Sequence, residues 1–159
     1  MQVTLAHIGA RFPAKDPFQS LTLLYLERSS NLLRTKNQAS RDQAFKDQAF
    51  KTEDALFAGL DSQKGRVAPV TVLLDSRGRS MTSEAFAAWL GARRDESVQH
   101  IVFAIGPASG WSPAALPRAK LLLSLGSFTF AHSLARLVLA EQLYRACTIL
   151  TGHPYHTGH

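Results

Sequence analysis

The stretch SLGSFTFAHSLARLVLAEQLYRACTILTGHPYH, residues 124–156, limits the possible folds of this chain more than any other. A short apolar run and a glycine lead into a long helical segment, His132–Thr151, and the stretch closes on two histidines, a proline and a tyrosine. Inside the helical segment only Ser133, Arg136, Glu141, Gln142, Arg145 and Thr148 interrupt the apolar residues. A helix on the surface of a soluble domain keeps a polar half. On a helical wheel Glu141, Arg145 and Thr148 share one side with Gln142 at its edge, while Leu137, Leu139, Ala140, Leu143, Cys147 and Leu150 occupy much of the rest. Such a helix needs cover on two sides, from its own domain and from a second copy of the chain. It is long enough to cross a bilayer, but two arginines, a glutamate and a glutamine within it argue against a membrane.

With 159 residues the chain is expected to form one domain, 1–159, with a core of its own. The balance of 18 Lys+Arg against 12 Asp+Glu, a net +6, favours an anionic partner, with nucleic acid foremost. The single cysteine, Cys147, excludes an internal disulfide and sits in the apolar helix as a packed thiol. The N-terminal MQVTLAHIGARF has no basic region followed by a long apolar core, so no signal peptide is expected and the cytoplasm is the expected location.

Residues 3–8 read as a buried strand closed by Gly9. Residues 18–28 read as a helix whose apolar face holds Phe18, Leu21, Leu24 and Tyr25. The pentapeptide DQAFK then occurs twice in tandem, from Asp42 to Lys51. In a helix its step rotates the chain by about 140° net, and in a strand it sends Phe45 and Phe50 to opposite faces. Neither pattern assigns residues 34–51. Thr52 caps a helix running to about Leu60, with Glu53 and Asp54 in its first turn. A β-branched run over 67–74 makes a strand ending at Asp75, followed by a turn at Ser76-Arg77-Gly78-Arg79. Thr82 or Ser83 caps the next helix, which has Phe86, Ala87, Trp89 and Leu90 on its apolar side and stops at Gly91. Residues 101–105 form a third strand, followed by the loop GPASGWSP, a short helix, a small strand over 120–125, a glycine turn at Gly126 and the last helix, for which His132 is a candidate cap. Strands alternate with helices, and the continuous apolar strands require cover on both faces. These features specify an α/β fold, a parallel sheet flanked by helices.

Ligands of such sheets bind beyond the carboxyl ends of the strands. Three of those ends carry loops that bend at glycine: Leu74-Asp75, 106–110 and 125–130. None matches a dinucleotide fingerprint or a P-loop. The six histidines include no HExxH pattern, and Cys147 has no CxxC partner. His153, His156 and His159 recur every third residue in the tail and make a poor ligand set, so no metal is expected.

The whole pattern resembles the RlmH (YbeA-like) family, small SPOUT-class methyltransferases of bacterial 23S ribosomal RNA. The likeness rests on H-x-L-x-R-x-x-x-x-E-Q-L-Y-R-A with the closing H-P-Y-H, on the opening VTLAHIGA, on the strand ending VLLD, and on the IG…G-x-SP loop. It implies a C-terminal trefoil knot, a homodimer, and S-adenosylmethionine bound bent in the loops of the knot. By position, Leu74, Gly106, Leu125, Gly126, Ser127, Phe128, Thr129 and Phe130 would hold that cofactor. The reaction implied is methylation of N3 of a pseudouridine in 23S rRNA of the large ribosomal subunit. Tyr155 and His156 would lie near the accepting base. Arg145 and His153 are candidates for RNA contact, although Glu141 and Arg145, one helical turn apart, also suit a structural ion pair. The N3 proton must leave as the methyl carbon is attacked, a task suited to a histidine near neutrality.

Three departures from the family pattern stand out. The loop reads GPASG where GGPEG is usual, so Pro107 replaces a glycine and removes a backbone donor. Ala131 stands where a proline commonly precedes the histidine. Thr157-Gly158-His159 follows His156 where the family has Lys or Arg. They leave room for two other readings: a SPOUT enzyme with a different RNA target, and a catalytically silent, basic RNA- or ribosome-binding dimer.

Overall fold

A computed structural model describes residues 1–33, 44–62 and 67–157. The described elements are β1 (Gln2–Ile8), α1 (Pro17–Leu32), β2 (Phe45–Phe50), α2 (Glu53–Asp61), β3 (Val70–Ser80), α3 (Ser83–Asp95), β4 (His100–Ile105), a 3-10 turn (Leu116–Arg118), β5 (Leu121–Ser124) and α4 (His132–Thr151). The strands form one sheet in the order β2-β1-β4-β3-β5, and every pairing is parallel. Alternation along the strands divides the core in two. Val3, Leu5, Phe45, Val72, Ile101 and Phe103 face α1, α3 and α4. Ala6, Ile8, Leu73, Val102 and Ala104 face α2 and the segment carrying Trp111 and Ala115.

Part of the unassigned stretch is β2. The residues preceding Ala44 lie outside the described ones, but Phe45–Phe50 pairs with β1 along its full length. Phe45 enters one core cluster and Phe50 packs against the other, as an odd-numbered step along a strand requires. The third strand also differs from expectation. It begins at Val70 rather than Val67, so Pro69 stays outside the ladder, and it continues through the expected turn to Ser80. A bulge between Leu74 and Arg79 takes up the extra residues. Gly78 makes the return possible, because a Cβ there would lie 2.6 Å from the Leu122 carbonyl carbon. Thr52 and Thr82 cap α2 and α3, accepting from the amides of Ala55 and Ala85. Gly91 does not stop α3. It sits mid-helix, where a Cβ would meet the Leu150 side chain at 2.8 Å, so its smallness serves the α3–α4 contact.

The first helix is turned opposite to its apolar pattern. Phe18, Leu21 and Leu24 are exposed, and Gln19, Thr22, Leu26, Ser29 and Ser30 are the buried residues. The cause lies on α4. Arg136 is fully buried, and its Nη2 donates to Asp47 of β2 at 2.6 Å and to Gln19 of α1 at 2.8 Å. The Phe12 ring lies 4.4 Å from the guanidinium carbon. Thr148, read as part of the polar side of α4, is likewise buried, its hydroxyl donating to the Arg145 carbonyl. No helix among the described residues is long and apolar enough to cross a membrane.

Removing one partner from a buried pair leaves a charge uncompensated, at a cost of about 3–5 kcal/mol. Asp47→Ala should lose about that much in urea unfolding, and Arg136→Met combined with it should cost less than the two single changes together. His7, in the same pocket, donates from Nε2 to the Ala10 carbonyl at 3.1 Å. Burial, ahead of all other influences, holds its pKa below the ordinary 6.5. The native state therefore binds fewer protons there than the unfolded chain, so stability is complete above 6.5 and falls as the pH drops below it. His7→Gln keeps a donor for Ala10. It should flatten the loss of stability from about pH 7 to about pH 5, leaving the share due to His100, whose pKa burial also lowers.

Candidate active site

The carboxyl ends of β3, β4 and β5 open into one cleft of about 280 Å³. Leu74, Gly106, Leu125, Gly126, Phe128, Thr129 and Phe130, all expected at a ligand site, line it together. Ser127 belongs to the same turn but is not one of the lining residues. Gly126, at φ 129°, makes the turn from β5 toward α4. Phe128 stands at the lip, 81% exposed. Asp75, at the strand end expected to meet a ligand, also lines the cleft, together with Trp111, His132 and Ala135, which the sequence does not place there.

Trp111 organises the floor. Its indole N–H donates to the Leu74 carbonyl at 2.9 Å, joining the ends of β3 and the β4 loop. Its ring lies so close to Gly106 that a Cβ there would come within 2.8 Å of Cε2. The same loop is fastened to α2. The Ser112 amide donates to Glu53 Oε1 at 3.0 Å, and the Ser112 hydroxyl donates to the other carboxylate oxygen. At the opposite wall His132 does not cap α4; Ala131 takes the N-cap position and gives no side-chain bond. The His132 Nε2–H instead donates to the Gly106 carbonyl at 2.5 Å. Asp75 closes the rim, accepting from the Arg77 amide, Nε and Nη2, each at 2.9 Å. These bonds hold its carboxyl below the usual carboxylate range, so it stays ionised near neutrality.

A second cavity of about 220 Å³ shares Leu123, Leu125 and Gly126 with the first and is completed by Met81, Phe86, Val138 and Gln142, among others. The β5–α4 turn is the wall between the two.

The C-terminal tail lies apart from the cleft of its own chain, and neither Tyr155 nor His156 lines either cavity. Gly152 ends α4 in the left-handed region, and the His153 amide donates back to the Thr148 carbonyl. His153 itself is exposed and accepts from the Tyr155 amide. Glu141 and Arg145 form the ion pair their spacing allows, with Nη2–Oε1 at 2.7 Å. The Tyr155 hydroxyl donates to the same Glu141 oxygen at 3.0 Å, under the Arg145 guanidinium. His156 meets Glu84 of α3 at 2.9 Å and Arg145 at 3.5 Å. Burial, then bonding to Tyr25 and Glu141, raises the Tyr155 pKa far above neutrality. Tyr155 is therefore a donor at physiological pH. Among the described residues no cluster of His, Cys, Asp or Glu has the arrangement of a metal site.

Residues 1–156 match the family described as "Predicted SPOUT methyltransferase". The chain belongs to this SPOUT methyltransferase family. Its parallel sheet flanked by helices, with a glycine-turned cleft at the end of the last strand, is the α/β knot fold of that class. A ribosomal RNA large subunit methyltransferase H of Koribacter versatilis is 47% identical over 145 residues, 91% of this chain and 92% of that protein. Another of the same name, from Brucella ovis, is 53% identical over 85 residues, 54% of this chain and 50% of that protein. The SpoU methyltransferase AviRb of Streptomyces viridochromogenes, solved in complex with AdoMet, aligns at a TM-score of 0.46 and 9% identity, covering 90% of this chain and 56% of its own.

Gly106→Ala should force the Trp111 indole off its seat, an overpacking cost of about 1–3 kcal/mol. Trp111 emission should shift to the red as the ring gains water. An unchanged spectrum would show that the floor does not depend on this contact.

Proposed function

We propose that this chain is an S-adenosylmethionine-dependent methyltransferase acting on N3 of a pseudouridine in bacterial 23S rRNA, and that it works as a homodimer. The observation that carries the reading is the glycine-turned cleft at three adjacent strand ends in a chain of the SPOUT methyltransferase family. Its groups suit the cofactor. Leu74, Leu125, Phe130 and Ala135 offer apolar cover for an adenine, the backbone of residues 125–130 offers hydrogen-bonding groups, and the ionised Asp75 carboxylate complements a sulfonium charge. S-adenosylmethionine, when bound, supplies a methyl group activated by that sulfonium.

What remains for the protein is to align the RNA base with that methyl and to receive a proton. As N3 takes the methyl from the donor, which would leave as a neutral thioether, the N3 proton would pass to a base. His156 is our choice for that base, with Tyr155, held protonated, as a donor that orients the uracil ring or its partner residues. His153 and Arg145 extend the same edge as RNA contacts, Arg145 acting from within its ion pair with Glu141.

Since the tail lies apart from its own cleft, the acceptor site is read as composite, with tail and cleft supplied by different subunits. The outward face of α1 supports this. Phe18, Leu21, Leu23 and Leu24 are between 37% and 46% exposed along one helix, an apolar surface of the kind that marks an interface. A second copy is the occupant that accounts for it best, because an aromatic run of Tyr25, Tyr144 and Tyr155 continues from that helix into the tail.

The test combines binding with complementation. Titration calorimetry with S-adenosylmethionine should give heat with wild-type protein and with His156→Ala. Mass mapping of 23S rRNA from a deletion strain should show the loss of one methyl from a pseudouridine. His156→Ala should lower kcat about 10²–10⁴-fold, and a cleft-blocked Gly106→Trp chain should be inactive alone. Co-expressed, the two inactive chains should recover part of the activity through mixed dimers. Absence of heat at high cofactor concentration would overturn the enzyme reading, and absence of recovery would overturn the composite site.

A further inference from the structure

We propose that His132 is a positioning residue of the cleft: by clamping the Gly106 carbonyl it holds the β4 end in the shape that receives the cofactor. This rests on the cofactor reading above and adds a role for a residue that the sequence marks as a candidate helix cap and as the first residue of the H-x-L-x-R motif.

Four observations converge on it. First, the contact joins residues far apart in sequence, since His132 opens α4 and Gly106 follows the last residue of β4. Second, a proline follows Gly106. The Gly106–Pro107 peptide has no N–H, so the carbonyl is its only polar group and His132 is the side chain that engages it. Third, the other side of Gly106 is pressed by the Trp111 ring. The residue is thus gripped between an aromatic face and an imidazole N–H, and both belong to the cleft lining. Fourth, the helix carrying His132 cannot roll freely. Arg136 lies one turn further along the same face, and it is anchored by Asp47 and Gln19. The His7 ring packs against His132 with centroids 6.4 Å apart and backs the imidazole from the sheet side.

Together these contacts build a rigid wall before any ligand arrives. A preformed wall raises affinity by removing the cost of ordering it on binding. His132 therefore acts through Gly106 on cofactor affinity, and it leaves the proton transfer to other groups. A general structural role would instead alter both substrates alike.

Side-chain stereochemistry supplies the discriminating variants. A glutamine amide nitrogen reaches the position of the imidazole Nε2, and an asparagine amide nitrogen reaches only that of Nδ1. His132→Ala and His132→Asn should weaken S-adenosylmethionine binding about tenfold by calorimetry, raise KM for it by the same factor, and leave kcat and KM for ribosomal substrate within about twofold. His132→Gln should return affinity to within about threefold of wild type. Equal behaviour of the Gln and Asn variants, or wild-type affinity in the Ala variant, would overturn the proposal. A second readout needs no cofactor. In a Trp89→Phe background Trp111 is the sole indole, and its emission should shift in His132→Ala and recover in His132→Gln. Wild-type protein that gives no heat with S-adenosylmethionine would defeat the enzyme reading, while this emission arm would still decide whether His132 holds the wall. An unshifted emission would refute the clamp itself.

Discussion

A guanidinium sealed from water governs much of this molecule. Placing the charge of Arg136 in the interior is costly, and the cost is met only where a carboxylate and further acceptors surround it. Asp47 and Gln19 provide them, and in doing so they tie the last helix to the edge strand and to the first helix at one point. The consequence spreads outward. To present Gln19 inward, α1 must turn its polar side to the core, where Ser30 also receives the Phe45 amide at 3.0 Å. The apolar residues of that helix then have nowhere to go but the surface. One buried charge thus accounts for both the unusual polar packing inside and the exposed leucines outside. Nε and Nη1 of Arg136 have no partner among the described residues, so the pairing is incomplete as well as costly.

The cleft shows a related economy of backbone. Where β3 begins to bulge and just beyond β4, the carbonyls of Leu74 and Gly106 are each taken by a side chain from elsewhere, Trp111 and His132. Strand ends in open parallel sheets usually leave such groups to solvent or ligand. Here they are engaged beforehand, so the loops keep their shape without a bound molecule. The β5–α4 turn is held differently. The Ser124 hydroxyl bonds to both the amide and the carbonyl of Gly126, and the turn beyond it projects Phe128 outward. The cleft therefore has two fastened walls and a third whose tip is bare.

Much of this was legible in the residues themselves. β1, β4, β5 and α4 announce themselves through largely apolar runs and glycine stops, and the glycine loops after the strands point to the cleft because parallel sheets bind ligands there. What escaped reading has a common physical origin, namely dependence on partners distant in sequence. Nothing near Arg136 reveals that its carboxylate sits 89 residues earlier. The inward face of α1 is hidden for the same reason, since periodicity identifies an apolar stripe but not which side of the helix the fold uses. β2 is illegible because it is a polar edge strand, and FKDQAF carries no β-branched residue. Gly91 reads as a stop because its close neighbour, Leu150, is on another helix. His132 could have been suspected from its place beside the glycine turn, yet its bond to Gly106 is visible only in three dimensions.

The tandem pentapeptide spaces two phenylalanines five residues apart along the edge strand, so one ring goes to each side of the sheet. Phe45, 1% exposed, enters the cluster beneath α1 and α4, and Phe50 packs against the cluster beneath α2. Replacing the buried ring by a small side chain would leave a void worth several kcal/mol, on the order of 3–5. The strand that carries the carboxylate for Arg136 is thus riveted to both layers by a benzyl group at each end.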